Sequence, residues 1–130
     1  MVLATRGPNG TPRATPVYFA AEHTLRLIFL SDPDSAHSRN LVSAPQASVA
    51  IYPEESDWRR LRGVQMTGHA AAIEGSEAEL ARRAYARRFP FVSDLAQALD
   101  ASRTYAFRPS WVRLIDNRRG FGFQHEWMLA

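Results

Sequence analysis

Three hydroxyls, an imidazole and a guanidinium crowd into one short segment: Ser31, Ser35, His37, Ser38 and Arg39 all fall between residues 31 and 39. Hydroxyl, imidazole and guanidinium donors at this density suit the binding of an anion such as a phosphate. The segment follows Leu25-Arg26-Leu27-Ile28-Phe29-Leu30, an extended and largely apolar run, and opens with Ser31-Asp32-Pro33-Asp34-Ser35. Pro33 cannot continue a strand ladder and Asp34 or Ser35 is a good N-cap, so the spacing predicts a strand, a turn and a helix start. The first turn of such a helix presents unpaired N–H groups to an anion. The same residues would also serve a plain surface helix, capped by Asp34 or Ser35, with His37 and Arg39 solvated.

Composition and spacing remove most other chemistry. Cysteine is absent, which excludes disulfides, thiolate metal sites and a cysteine nucleophile. Lysine is absent as well; all 16 cationic side chains are arginines, so any anion must be held by arginine, histidine, hydroxyls or backbone. No G-x-S-x-G elbow, P-loop or dinucleotide fingerprint occurs. His23, His37, His69 and His125 show no metal-ligand spacing, and no metal is expected. What is left is the anion site and polar strand positions such as Thr15, Gln65 and Thr67, an inventory that would hold a cofactor with a phosphate and a flat polar ring. The formal net charge of +3 is spread along the chain, which does not predict a nucleic-acid partner.

The elements that must position these residues fit one domain, residues 1–130, too short to enclose a whole site easily, so a site shared between two subunits is expected. No apolar run reaches bilayer length and no basic, apolar leader opens the chain, so the expected setting is the cytoplasm with no membrane. Val2 to Thr5 reads as a strand and Gly7-Pro8-Asn9-Gly10 as a hairpin turn. Arg13 to Ala20 is strand-like, but Pro16 places that stretch on an edge or at a bulge, where a flat ligand could lie. The helix after Ser35 ends before Pro45, and Ala47 to Tyr52 forms a buried strand. From Val64 onward, Val64, Met66 and Gly68 alternate with Gln65, Thr67 and His69, with glycines that permit a bulge. Ser76-Glu77-Ala78-Glu79 reads as a capping box opening an amphipathic helix with a Glu79–Arg83 pair and a solvated arginine face. Ser93 to Leu99 predicts a short second helix. Thr104 to Arg108, Trp111 to Ile115 and Phe121 to Met128 predict three strands, with a tight turn through Asp116-Asn117-Arg118-Arg119-Gly120. Short strands with inserted helices predict a mainly β fold, a small barrel with helices packed outside.

Several of these segments together resemble the FMN-binding split-barrel superfamily, whose best-known member is pyridoxamine 5'-phosphate oxidase, and most of all a small bacterial branch of it. The resemblance is carried by Leu3-Ala4-Thr5, Gly10 to Phe19, Phe29-Leu30-Ser31 with Ser35-Ala36-His37, Arg62 to Gly68, Tyr85 to Pro90 and Asp116 to Gly122. It implies a six-stranded antiparallel split β-barrel, a homodimer and FMN at the subunit interface. By that likeness Thr15, Pro16, Val17, Leu30 and Ser31 lie along the flavin ring, and Ser35, His37, Ser38 and Arg39 lie near its phosphate. Gln65 is a further candidate for the ring. The oxidase has an Arg-Lys pair where this chain has Ala36-His37, and a glutamine where it has Gly63, which implies weaker cationic phosphate binding; its C-terminal substrate-binding segment has no counterpart in this sequence either, so oxidation of vitamin B6 is not expected. The expected function is a flavin-dependent oxidoreductase acting on a small substrate. The alternatives are a carrier or sensor of a flat ligand, a deazaflavin binder, or a haem binder using His125 or His37.

Overall fold

A computed structural model describes all 130 residues. Eight strands form one antiparallel sheet: β1 (Val2–Arg6), β2 (Pro12–Pro16), β3 (Ala20–Ala21), β4 (Leu27–Ser31), β5 (Gln46–Ile51), β6 (Arg62–Ile73), β7 (Arg103–Asp116) and β8 (Gln124–Met128). They run in the order β2-β1-β5-β6-β7-β4-β3, with β8 also paired to β7. Three helices are inserted: α1 (Ala36–Ser43), α2 (Gly75–Arg88) and α3 (Ala96–Asp100).

Leu3 of β1 and Phe29 of β4 belong to one buried cluster with Val49, Met66 and Phe107, although three strands separate β1 from β4 in the sheet. The sheet therefore curls on itself, as strand twist favours, and closes around this core. Alternation along the long strands builds two cores from one sheet. Tyr105 and Phe107 face the barrel interior, whereas Ala106 and Ile28 face outward under Ala81 and Tyr85 of α2.

β6 and β7 owe their length to a bulge between Thr67 and Gly68, where the partner strand passes Pro109. A Cβ at Gly68 would stand 2.1 Å from the Arg108 carbonyl oxygen, so only glycine admits this crossing. The two strands expected at 104–108 and 111–115 are consequently one continuous strand, because the bulge absorbs the proline that separates them.

Other expectations are corrected. Six strands were implied and eight form, because the 13–20 stretch divides beyond Pro16 into β2 and β3, and β8 is added to β7. The capping box does not form: Ala78 N–H already bonds the Glu74 carbonyl, so α2 starts at Gly75 and Ser76 lies inside it. Glu79 makes no ion pair with Arg83; it is Glu77 that joins Arg26 and Arg108. Arg82 is not solvated but ties down the end of α3 and the residues after it, donating to the Leu99 carbonyl at 2.8 Å and the Ser102 carbonyl at 3.3 Å. The helix expected at 93–99 is a 3-10 turn, Pro90–Leu95, followed by α3.

Candidate functional site

The chain leaves β4 at Ser31, turns through Asp32 to Asp34, and enters α1 at Ala36 with Ser35 as the N-cap. Asp32 Oδ1 accepts from the Asp34 amide at 2.8 Å, an Asx turn that fixes the entry angle. Ser35 Oγ accepts from the Ser38 amide at 3.3 Å and donates to Ser38 Oγ at 2.8 Å. From the other end, Leu41 is buried in the barrel core and Asn40 Nδ2 donates to Thr5 Oγ1 at 3.0 Å, a buried bond that docks α1 on β1. The helix cannot rotate without losing both, so the direction of its N-terminus is set.

At that N-terminus, the amides of Ala36 and His37 have no acceptor within the chain, as the first turn of an α-helix requires unless a cap or ligand supplies one. His37 Nε2 lies 2.5 Å from Ser31 Oγ and 3.2 Å from Ser35 Oγ. Burial pushes the His37 imidazole below its ordinary pKa, so it is neutral near pH 7 and free to donate or accept according to its tautomer. Arg13 and Thr15 of β2 reach the same place: with Ala36 and His37 they line a cavity of about 230 Å³. The result is two open amides, hydroxyls, one imidazole and one guanidinium around a small hollow. Its chemistry is that of an anion cradle.

The expected site residues separate into groups. Ser31, Ser35, His37 and Ser38 form one hydrogen-bonded cluster, within which Ser38 is almost fully buried behind Ser35 and spends its hydroxyl on the cap. Arg39 is adjacent but turns back to donate to the Asp34 carbonyl. Leu30 packs against the outer core beneath α2. Thr15 joins the cradle, whereas Pro16 and Val17 line a neighbouring groove of about 710 Å³ with Tyr18, Phe19 and Phe89. Gln65 is elsewhere, in a groove with Tyr52, Leu61 and Gly63, where Arg113 Nη1 approaches its Oε1 at 3.4 Å. Gly63 is tight here: a Cβ would lie 3.0 Å from the Ile51 carbonyl oxygen and 3.3 Å from Tyr52 Cβ. Sequence reasoning did not bring Arg13 to this hollow. The signal was the hairpin register, since pairing Thr5 with Arg13 across the Gly7–Gly10 turn sets that arginine beside the docking point of α1.

A curled antiparallel sheet with a polar hollow where β4 feeds α1 defines a split-barrel protein. The profile of the family described as pyridoxamine 5'-phosphate oxidase matches residues 1–116, and the chain belongs to that family. It is 36% identical over 101 residues to the UPF0306 protein YhbP of Escherichia coli O157:H7, over 76% of this chain and 64% of the relative. The chain thus spans somewhat less than two thirds of that relative's length. Among solved structures, a heme binding protein from Mycobacterium smegmatis superposes with a TM-score of 0.80 and 27% identity, over 98% of this chain and 51% of that one. A pyridoxamine 5'-phosphate oxidase-related, FMN binding protein from Nostoc punctiforme shares the fold with a TM-score of 0.69 and 16% identity, over 99% and 85% of the two chains.

Proposed function

We propose that the chain is an FMN-binding flavoprotein that acts as a homodimeric oxidoreductase on a small substrate in the cytoplasm. The observation that carries the reading is the pair of unpaired amides at Ala36 and His37, set beside the His37 imidazole and the Arg13 guanidinium in one hollow. This donor set fits a phosphate monoester: helix amides and a planar guanidinium match its oxygens, and no carboxylate lines the hollow. The ring would extend from there along β2, the terminal strand of the sheet, whose outer edge meets no other strand at Thr15 to Val17. FMN bound there would supply the electron transfer, which no side chain of this protein can perform by itself.

In this role Ser35 and Asn40 hold the helix terminus in place, His37 and Arg13 supply hydrogen bonds and charge, and β2 presents a flat wall. Gln65 lies outside the cradle of its own chain, so it would reach the ring only from a second copy. Exposed Tyr52 and Leu61 in its groove are apolar surface that a partner copy would cover. The test is a titration of purified protein with FMN, followed by absorption and fluorescence after desalting. Retention of the flavin band supports the reading, and His37→Ala combined with Arg39→Ala weakens binding by at least tenfold while leaving the fold intact. Unchanged affinity in that variant would remove the phosphate from this cradle. Turnover with NAD(P)H and an acceptor separates an oxidoreductase from a flavin carrier or sensor, and a parallel titration covers deazaflavin.

A second reading, haem binding, is favoured by the Mycobacterium smegmatis neighbour. His125 is exposed on β8 with its ring 4.5 Å from Trp127, which leaves the imidazole open to a haem iron. A Soret band on haem titration that disappears in His125→Ala is the expected outcome under that reading.

A further inference from the structure

We propose that the groove beside the cradle is a second anion subsite that takes a further phosphate of the same ligand, so that the protein prefers a flavin carrying a pyrophosphate to one carrying a single phosphate. This rests on the flavin reading above. The groove, of about 610 Å³, lies between the Gly7–Gly10 turn and the face of α1, and Arg6, Arg13 and Arg39 stand on its walls with no aspartate or glutamate among the lining residues. Arg13 and Ala36 line both this groove and the smaller hollow that holds His37, so the two spaces meet at those residues.

Ten of the sixteen arginines form no ion pair, and three of those ten share this one groove. Arg26, Arg59, Arg60, Arg108, Arg113 and Arg118 each pair with a carboxylate. Arg6 and Arg13 pair with none, and Arg39 donates only to a backbone carbonyl. Three guanidinium groups sharing one concave surface repel one another, so an anion entering the groove lowers the energy of all three. A single phosphate in the cradle engages the α1 amides, His37 and Arg13, and leaves Arg6 without a partner. A second phosphate bonded to the first would continue past Ala36 into the groove, where the planar guanidinium of Arg6 offers paired N–H donors to phosphoryl oxygens.

The experiment titrates the full chain and its Arg6→Gln variant with FMN and FAD by fluorescence, and with inorganic orthophosphate and pyrophosphate by amide NMR. The expected result is at least fivefold tighter binding of FAD than FMN, and of pyrophosphate than orthophosphate. In Arg6→Gln both preferences disappear while FMN affinity stays within twofold. Tight FMN binding with no preference for FAD or pyrophosphate, or preferences that survive Arg6→Gln, overturns the second subsite and leaves the FMN reading standing. If neither flavin binds, the flavin reading falls and the pyrophosphate comparison alone decides the subsite. Salt gives a readout that needs no variant: the pyrophosphate preference must shrink as ionic strength rises.

Discussion

The two polar turns of the molecule, one at the start of α1 and one after β7, draw on similar residues and end in opposite states. After β7, Asp116 accepts from the Arg118 amide at 3.1 Å and from Arg118 Nε and Nη2 at 2.8 Å each. Asn117 donates to the Trp58 carbonyl at 2.7 Å and accepts from the Gly122 amide at 3.0 Å. Its own backbone amide reaches the Leu61 carbonyl at 2.9 Å. The side chains of Asp116 and Asn117 spend their hydrogen bonds within the chain, and the turn staples the 58–61 loop to the barrel. At α1 the cap is equally well formed, yet two amides and the Arg13 guanidinium are left open. Polar groups satisfied at home hold the fold; polar groups held in place but left open are available to water or to a ligand.

Breaking the contrast at its open end has the largest effect. Arg13→Glu removes a charge-assisted donor and adds repulsion, and lowers FMN affinity roughly a hundredfold, about 3 kcal/mol, measured by fluorescence titration with the melting temperature as a folding control. At the closed end, Asn117→Ala should cost about 1–2 kcal/mol of stability, seen as a Tm lower by roughly 3–7 °C, with FMN affinity per folded molecule unchanged. A loss of affinity as large as that of Arg13→Glu would mean the two turns do not divide their roles in this way.

Smaller effects sharpen the comparison through pH. The Arg118 guanidinium beside Asp116 holds its carboxyl at about 2, below the ordinary value of 3.8. The folded state therefore binds fewer protons there than the unfolded state; the stabilisation is present above the ordinary value and fades as pH falls toward 2. Asp116→Asn should be less stable than the parent at pH 7, with the difference shrinking across that acid window in urea titrations. At His37 burial lowers the pKa, so the free protein loses stability as pH falls below the ordinary imidazole value of 6.5. A bound phosphate favours the charged imidazole, so FMN affinity of the parent relative to His37→Gln should rise modestly between pH 8 and 6. A flat ratio would place the anion away from His37.

Local chemistry was legible where neighbours in sequence decide it. The end of β4 at Ser31, the cap at Ser35, the left-handed Gly10 of the first turn and the alternation of Val64, Met66 and Gly68 against Gln65, Thr67 and His69 all depend on residues within a few positions; that Asn9 and not Gly7 is the second left-handed residue of that turn was not legible. The capping box failed for the same class of reason seen in reverse: Ser76 carries the right motif, but the backbone bond from Ala78 to Glu74 starts the helix before it.

By itself, then, the sequence determined that a strand would deliver hydroxyls, an imidazole and a guanidinium to a helix start, and that no cysteine or lysine chemistry was available. The tertiary structure alone decided which groups join them. Arg13 enters the cradle because β1 and β2 pair in one register, Gln65 leaves it because β6 carries that face away, and Asn117 closes its turn on a loop 59 residues earlier in the chain. Such placements follow from sheet curvature and strand register, which are set by burial of the whole core and leave no mark on the residues in isolation.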